Sequence, residues 1–260
     1  MVSVVIPCYN AQDTITACIS SVLRQTYKDL EIIVVDDGSG DKSVAVLEHY
    51  LQEIKTGRDR VSVITQKNMG PSAARNKGIS MARGAYIAFL DADDQWHEDK
   101  LMSQVTVMEA DKNIRLISCG YNSRPEKEQD KIRFVSFRQL LKKNYFAATS
   151  TVLIRKDALD GLSFNEQQKY AEDYRLWLQI AWQHTCAIIN RPLAGSISGK
   201  LEYGQAGLSA NLWKMEQGEL SNYLFLYRQG RISAITLTGI CCYSLLKYLR
   251  RKIIVIMKRY

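Results

Sequence analysis

The sequence has little that could form a disulfide or zinc scaffold, because its 260 residues contain six cysteines and no CxxC pair. Reduced thiols in a cytoplasm are the simplest account of this usage. The chain also lacks a basic start followed by a long apolar run, so its opening MVSVVIPCYN predicts a folded strand instead of a secretion signal. We therefore expect a cytoplasmic protein.

Acidic residues are missing from the last part of the chain. None follows Glu219, whereas positions 228–260 contain eight Lys or Arg. The other 27 basic residues balance the 27 acidic ones, so positions 228–260 carry the whole net charge of +8. A protein that wraps nucleic acid would more often spread basic charge over its folded surface, and we expect no nucleic-acid partner.

Short β-branched runs alternate with helical stretches in the first hundred residues, which predicts an α/β fold with a mainly parallel sheet. The predicted strands are Val2–Ile6, Glu31–Val35, Val61–Thr65 and Ala85–Leu90, and the predicted helices are Ala11–Gln25, Val44–Ile54 and Pro71–Met81. Further along, helices are predicted at Leu101–Ala110 and Glu172–His184, strands at Leu116–Tyr121 and Thr149–Arg155, and a polar loop at Ser123–Lys131. Ligands of such sheets bind at the carboxyl ends of the strands.

An acidic pair, Asp36 and Asp37, follows the second predicted strand and is followed by two glycines. Its carboxylates could accept hydrogen bonds from a base or ribose, or they could form a turn with an Asp helix cap. The dinucleotide-binding fingerprint is absent, because position 43 is serine and two carboxylates would repel a pyrophosphate.

Two further acidic clusters follow. Asp91, Asp93 and Asp94 come directly after a predicted strand and would repel one another unless a cation neutralised them. This arrangement favours a divalent metal site over a solvated acidic loop. Glu172 and Asp173 begin a predicted helix, where helix capping and the helix dipole explain acidic residues equally well.

A helix opens at Pro71 within the segment NMGPSAARNKG. Its free N–H groups and Arg75 could hold an anion beside the predicted metal loop. The alternative is an ordinary amphipathic helix in which Arg75 and Lys77 are solvated.

The order and spacing of these segments resemble the family-2 glycosyltransferases, which have the GT-A nucleotide-diphospho-sugar fold. The resemblance covers about residues 2–185 and is carried by VSVVIPCYN, SVLRQTY, EIIVVDDGSGD, NMGPSAARNKG, GAYIAFLDADD, STVLIRKDAL and AED-Y-LWL. It implies a hexosyltransferase that moves a sugar from a nucleoside diphosphate, most often UDP, to a saccharide hydroxyl with inversion at the anomeric carbon.

The resemblance also assigns roles to the nucleotide half of the site. Pro7 and Tyr9 would line the nucleotide pocket, with Tyr9 against the base. Asp37 would bond the uracil, and Arg75 would support the nucleotide.

The remaining roles belong to carboxylates. Asp91 and Asp93 match the DXD motif of the family, so that Asp91 would lie near the ribose. Asp93 would hold Mn²⁺ or Mg²⁺ on the diphosphate. Asp173, the second acid of the ED pair, matches the catalytic base.

The chain departs from some family members. Processive members carry a QxxRW motif and several membrane spans, and both are missing here, which favours an enzyme that adds one sugar. Many members have a histidine in the loop after the ED helix, but Ser196–Asn211 contains none. Gly207-Leu208-Ser209 resembles the end of that loop, and we assign the loop no catalytic role.

We predict a GT-A domain at 1–215, with a nucleotide-sugar half (1–100) and an acceptor half (101–215), and a helical tail at 216–260. On a helical wheel the tail is basic on one side and apolar on the other. It could lie on the anionic surface of the inner membrane, pack its apolar side on the body, or form a homo-oligomer. Membrane binding would suit an undecaprenyl-linked acceptor in O-antigen, capsule or exopolysaccharide synthesis.

Two other functions fit parts of the sequence. A sugar-nucleotide pyrophosphorylase shares the sheet and the metal chemistry, but it needs a GxGTR-like phosphate loop that VSVVIPCYN does not supply. A non-enzymatic module that binds anionic membranes would explain the tail and leave the three acidic clusters unexplained.

Overall fold

The computed structural model describes residues 1–122, 131–146, 148–197 and 211–257, and these residues form a layered α/β fold. The strands are β1 (Val2–Cys8), β2 (Leu30–Asp36), β3 (Val61–Thr65), β4 (Tyr86–Phe89), β5 (Asp94–Trp96), β6 (Ile114–Tyr121), β7 (Ile132–Val135), β8 (Leu153–Arg155) and β9 (Thr185–Ser196). The helices are α1 (Ile15–Leu23), α2 (Ser43–Glu53), α3 (Pro71–Met81), α4 (Lys100–Ala110), α5 (Phe137–Lys142), α6 (Glu172–Gln183), α7 (Leu212–Arg228) and α8 (Ala234–Met257).

The first half of the sheet is parallel, as predicted. Strand β1 pairs in parallel with β2 and β4, and β2 pairs in parallel with β3. Strands β1 and β2 are buried along almost their whole length, because helices cover both faces of the sheet. Their carboxyl ends therefore meet at one edge, which is where the predicted acidic clusters begin.

Helix α3 lies close against β1. Pro71 occupies its first turn, where the missing N–H has no intrahelical acceptor to lose. A Cβ atom added at Gly78 would lie 2.3 Å from a methyl carbon of Val5, so only glycine allows this approach. The close packing fixes the position of Arg75 one turn earlier on α3.

The second half of the sheet is mixed and less like the prediction. Strand β8 is antiparallel to both β4 and β6, and β9 is parallel to β6. The segment predicted as one strand at 149–155 is a 3-10 turn over Thr149–Thr151 followed by the short β8. The predicted polar loop at 123–131 lies outside the described residues except for its last position.

The sequence did not predict strands β5, β7 and β9. Strand β9 contains Pro192, which cannot donate to a ladder and which pairs with Gly120 at an irregularity in the register. Arg191 directly before the proline and Gly195 three residues after it further obscure the strand pattern. Strands β5 and β7 are short and pair antiparallel with β9.

Helices α7 and α8 pack on the rest of the protein. Tyr223 and Leu226 of α7 and Ile240 of α8 belong to the same hydrophobic core cluster as Phe89 of β4. Helix α7 begins at Leu212, ahead of the predicted boundary after residue 215. The division into a domain and a tail stays a prediction. Among the described residues, no helix is both long and apolar enough to cross a membrane.

Ile240 of helix α8 packs on the body, whereas a second apolar stripe of the same helix is exposed. Ile235, Leu246, Leu249 and Ile253 are exposed, and Leu246 is 65% accessible. They lie at spacings of eleven, three and four residues, on one side of the helix.

Two cations of α8 face inward instead. Arg251 lies 2.9 Å from Glu216, and Lys247 lies 3.5 Å from Glu219. Glu216 is fully buried, and burial raises its pKa. These acids of α7 attract the basic residues of α8, and this pairing sets the orientation of the helix.

Candidate active site

Three strand ends bring the predicted nucleotide-binding residues to one edge of the sheet. Tyr9 follows β1, Asp37 follows β2, and Asp91 lies two residues after β4. The side chain of Tyr9 is 53% exposed, so its ring is accessible to a ligand. Pro7, inside β1, is partly buried. Their contact with a nucleotide stays a prediction.

Asp37 is buried, and its hydrogen bonds connect the end of β2 to the start of helix α3. Its carboxylate accepts hydrogen bonds from Gln66 Nε2 (2.8 Å), Met69 N (2.9 Å) and Gly70 N (2.7 Å). A carboxylate has about four acceptor positions, so three bonds leave about one for a ligand. The predicted bond to uracil stays a prediction.

Asp94 holds the acidic loop in place through hydrogen bonds to its buried carboxylate. The sequence does not predict this role. Tyr121 Oη donates to Asp94 at 2.7 Å and Ser150 Oγ at 2.5 Å. Ser150 Oγ also accepts a hydrogen bond from the backbone N of Asp91 at 3.0 Å. Burial and the charges of Asp91 and Asp93 raise the pKa of Asp94 to about 7, although the two hydroxyl donors oppose this effect.

Asp93 is the predicted ligand of Mn²⁺ or Mg²⁺. Its side chain is partly buried, and its backbone O accepts a hydrogen bond from Ile197 N at 3.0 Å. In the described part of the chain, no group of three His, Cys, Asp or Glu side chains could hold a metal by itself. The residues fit an ion that takes one or two carboxylates and fills its other positions with water and substrate phosphate oxygens.

Arg75 joins the acidic loop to the ED pair. Its guanidinium lies 2.8 Å from Asp91 and 3.2 Å from Glu172, and the side chain is almost fully buried. Burial opposes the charge of Arg75, but the two carboxylates outweigh it and raise the pKa. A guanidinium presents donors in several directions, so one side chain can bridge two carboxylates. Arg75 therefore holds Asp91 and Glu172 close to each other. Its contact with the nucleotide stays a prediction.

Asp173 stands at the start of α6, beside this bridge. Its Oδ1 accepts a hydrogen bond from Tyr174 N at 2.6 Å. Burial and the neighbouring Glu172 charge raise the pKa of Asp173 to about 7, against the opposing effect of the Tyr174 N–H and of Arg75. Asp173 is thus a stronger proton acceptor than an exposed aspartate, which is the property that a general base needs near neutral pH.

The loop after β9 begins next to the acidic loop. Ser196 of β9 pairs with Asp94 of β5, and the following residue contacts Asp93 through its backbone. The segment 198–210 lies outside the described residues, and so does its Gly207-Leu208-Ser209 motif.

Sequence reasoning missed the residues that hold the site together. The sequence predicts Glu172 only as part of an acidic pair, and it predicts no role for Ser150 or Tyr121. A hydroxyl in the 3-10 turn before β8 carries no local signal of a contact with a loop some 60 residues earlier. The proximity of Glu172 to Arg75 is equally a product of the fold.

The sheet, the acidic loop and the ED pair are the features expected of a nucleotide-sugar transferase, and the comparison with known families agrees. Residues 3–162 match Glycosyl transferase family 2. The chain belongs to this family and is a glycosyltransferase. The pyrophosphorylase and the non-enzymatic alternatives are therefore rejected.

Two relatives are named for the reaction or the biosynthesis in which they act. The chain is 34% identical over 226 residues to the Escherichia coli UDP-Glc:alpha-D-GlcNAc-diphosphoundecaprenol beta-1,3-glucosyltransferase WfgD, covering 82% of this chain and 81% of WfgD. It is 30% identical over 189 residues to the Erwinia amylovora amylovoran biosynthesis glycosyltransferase AmsB, covering 68% of this chain and 62% of AmsB.

Solved structures share the fold. S. aureus TarS 1-349 in complex with UDP-GlcNAc superposes with a TM-score of 0.70 at 18% identity, covering 94% of this chain and 71% of the TarS fragment. Mannosyltransferase PcManGT from Pyrobaculum calidifontis, in complex with GDP-Man and Mn²⁺, superposes with a TM-score of 0.67 at 18% identity, covering 94% of this chain and 73% of PcManGT. These likenesses confirm the predicted GT-A architecture.

Proposed function

We propose that this glycosyltransferase moves a sugar from a UDP-sugar to a hydroxyl of a lipid-linked saccharide, with inversion, in bacterial surface polysaccharide synthesis. The observation that carries the proposal is the bridge from Asp91 through Arg75 to Glu172, which joins the DXD loop to the ED pair. The donor and acceptor classes are supported by the names of relatives such as WfgD, which uses UDP-Glc and an undecaprenol-linked acceptor.

In this proposal the strand ends bind the nucleotide. Tyr9 stacks on the base beside Pro7, and Asp37 uses its remaining acceptor position for the uracil. Asp91, fixed by Arg75, lies near the ribose. Asp93 would hold Mn²⁺ or Mg²⁺, which as a Lewis acid supplies positive charge to the departing diphosphate.

Asp173 acts as the general base. It accepts the proton of the acceptor hydroxyl while that oxygen attacks the anomeric carbon from the face opposite the diphosphate. Glu172 stays paired with Arg75 and keeps the start of α6 in place. Partial burial of Asp173 limits water at this position and keeps its pKa close to neutral pH.

Transfer and nucleotide binding should separate in two variants. Asp173→Asn should abolish transfer from UDP-glucose to a GlcNAc-diphosphate lipid while calorimetry finds nearly unchanged UDP affinity. Asp93→Ala should weaken UDP binding in the presence of Mn²⁺ and change little in EDTA. Near-normal transfer by Asp173→Asn would show that another group is the base.

We also propose that α8 rests on an anionic membrane. Its outward stripe is apolar, and the exposed Arg250 and Lys252 lie along the two edges of that stripe. Each cation near an anionic surface contributes about 1 kcal/mol. Because α8 has no acidic residue, two copies packed along the stripe would bring like charges together.

Vesicle sedimentation tests this surface. The wild-type protein should bind vesicles that contain phosphatidylglycerol, and salt should weaken the binding. Leu246→Glu with Ile253→Glu should abolish it, whereas Leu224→Glu, at an exposed leucine of α7, should not. Absence of vesicle binding by the wild type, or a dimer that the double variant dissociates, would contradict the membrane proposal.

A further inference from the structure

Helix α7 lies directly against the chain segment that leads into the ED pair. A Cβ atom added at Gly218 would lie 2.3 Å from the carbonyl O of Tyr170. No other residue type allows the helix backbone to come this near. Tyr170 is two residues before Glu172, so α7 forms the support behind the start of α6.

Asn222 lies one turn after Gly218 on the same face of α7 and is fully buried. Its Nδ2 donates to the carbonyl O of Ala171 at 2.8 Å. Its Oδ1 accepts from Gln168 Nε2 at 2.8 Å and from Arg175 Nε at 3.2 Å. One amide thus connects residues on both sides of the ED pair.

Ala171 has a backbone conformation that needs such support. Its φ of 54° and ψ of 31° place it in the left-handed region, which costs a residue with a Cβ about 1–2 kcal/mol. Its carbonyl O also accepts the first hydrogen bond of α6, from Arg175 N at 3.2 Å. A change at Ala171 would therefore rotate the first turn of α6, which carries Glu172 and Asp173.

We propose that Asn222 and Gly218 are positioning residues for transfer, because they hold Ala171 in the conformation that aims Asp173 at the acceptor hydroxyl. This inference rests on the proposed function, in which Asp173 is the base. It gives α7 a part in catalysis, although α7 lies beyond the residues 3–162 that match the family. Purely structural residues would affect stability, nucleotide affinity and transfer together.

Four variants test the proposal. Asn222→Ala removes all the hydrogen bonds of the side-chain amide. Asn222→Asp keeps the size of the side chain but loses the N–H donor to the carbonyl O of Ala171. Gly218→Ala inserts a Cβ against Tyr170. Glu216→Ala is the control, because Glu216 is equally buried on α7 but its carboxylate pairs with an arginine of α8, away from the ED pair.

The measurements are kcat for transfer, UDP affinity by calorimetry and thermal stability, at a temperature where every variant is folded. Both Asn222 variants and Gly218→Ala should lower kcat about 10- to 100-fold, since small misplacements of a catalytic group have effects of this size. Their UDP affinity should stay within about twofold of the wild type. Glu216→Ala should lower thermal stability, because it removes the ion pair between α7 and α8, and should leave kcat unchanged.

Wild-type kcat in Asn222→Asp would overturn the inference, and so would a kcat that falls in step with stability across all four variants. If Gly218→Ala does not fold, the Asn222 pair still decides the matter. The proposed function fails separately, when the wild type transfers no sugar or when Asp173→Asn transfers normally.

Discussion

Replacing Asp173 by Asn should stabilise the fold while it removes activity. The pKa of Asp173 is about 7 in the folded protein and 3.8 without its surroundings. That difference corresponds to on the order of 4 kcal/mol between the two protonation states. Asn keeps one oxygen for the Tyr174 N–H, but its NH₂ group must also be accommodated. We therefore expect Asp173→Asn to raise the free energy of unfolding by about 2 kcal/mol, half of this difference.

The size of the effect depends on pH. Because the folded-state pKa is raised, the ionised form of Asp173 destabilises the protein, and the wild type loses stability as the pH rises from about 4 to about 7. The advantage of Asp173→Asn should therefore be small near pH 4 and constant above pH 7. For a chain of this size, about 2 kcal/mol raises the melting temperature by about 4–8 °C.

Urea unfolding followed by circular dichroism at several pH values is the assay. Asp41→Asn provides a control of opposite sign, because Asp41 accepts hydrogen bonds from Ser43 and Gln12 that outweigh desolvation and lower its pKa. This variant should lose stability at neutral pH. If Asp173→Asn were no more stable than the wild type near pH 8, or if its advantage did not change with pH, the raised pKa would be refuted.

Three further predictions concern the same site. Transfer by the wild type should fall below about pH 7, because protonated Asp173 cannot accept a proton; a flat profile from about pH 5 to about pH 8 would contradict this. Arg75→Lys should lower kcat more than tenfold, since an ammonium group cannot bridge Asp91 and Glu172 as a guanidinium does, and unchanged steady-state kinetics would argue against the bridge. Asp37→Asn should cost about 1–3 kcal/mol in urea unfolding and weaken UDP binding, because its amide would face backbone donors; wild-type stability would contradict the three-bond arrangement.

Much of the parallel half of the fold follows from the sequence. Strands β1 and β2 are mostly apolar because both of their faces are buried, and this pattern can be recognised in the local sequence. The carboxylates that follow the strands must then lie at one edge of the sheet. Strand β9 cannot be recognised locally because Pro192 interrupts its pattern, and its pairing with β5, β6 and β7 makes it a strand.

The bridge and the support of the ED pair depend on long-range packing. Arg75 and Glu172 are 97 positions apart, and neither residue type signals a partner by itself. Asn222 and Gly218 are unremarkable residues of a helix until α7 meets Ala171. A helical wheel separates the two sides of α8, but it does not show that Glu216 and Glu219 hold the basic side against the protein.

Nucleotide binding tests the central claim most directly, because every other role assumes a nucleoside diphosphate at the strand ends. We would measure thermal stabilisation of the purified protein by UDP, GDP, CDP and TDP, each with Mn²⁺ or with EDTA. A ligand that binds the folded state at a hundredfold excess over Kd stabilises it by about 2.7 kcal/mol. We expect a shift for UDP that requires Mn²⁺ and that Asp93→Ala reduces. Unchanged thermal stability with every one of the nucleotides would contradict the assignment of the strand ends as a nucleotide site.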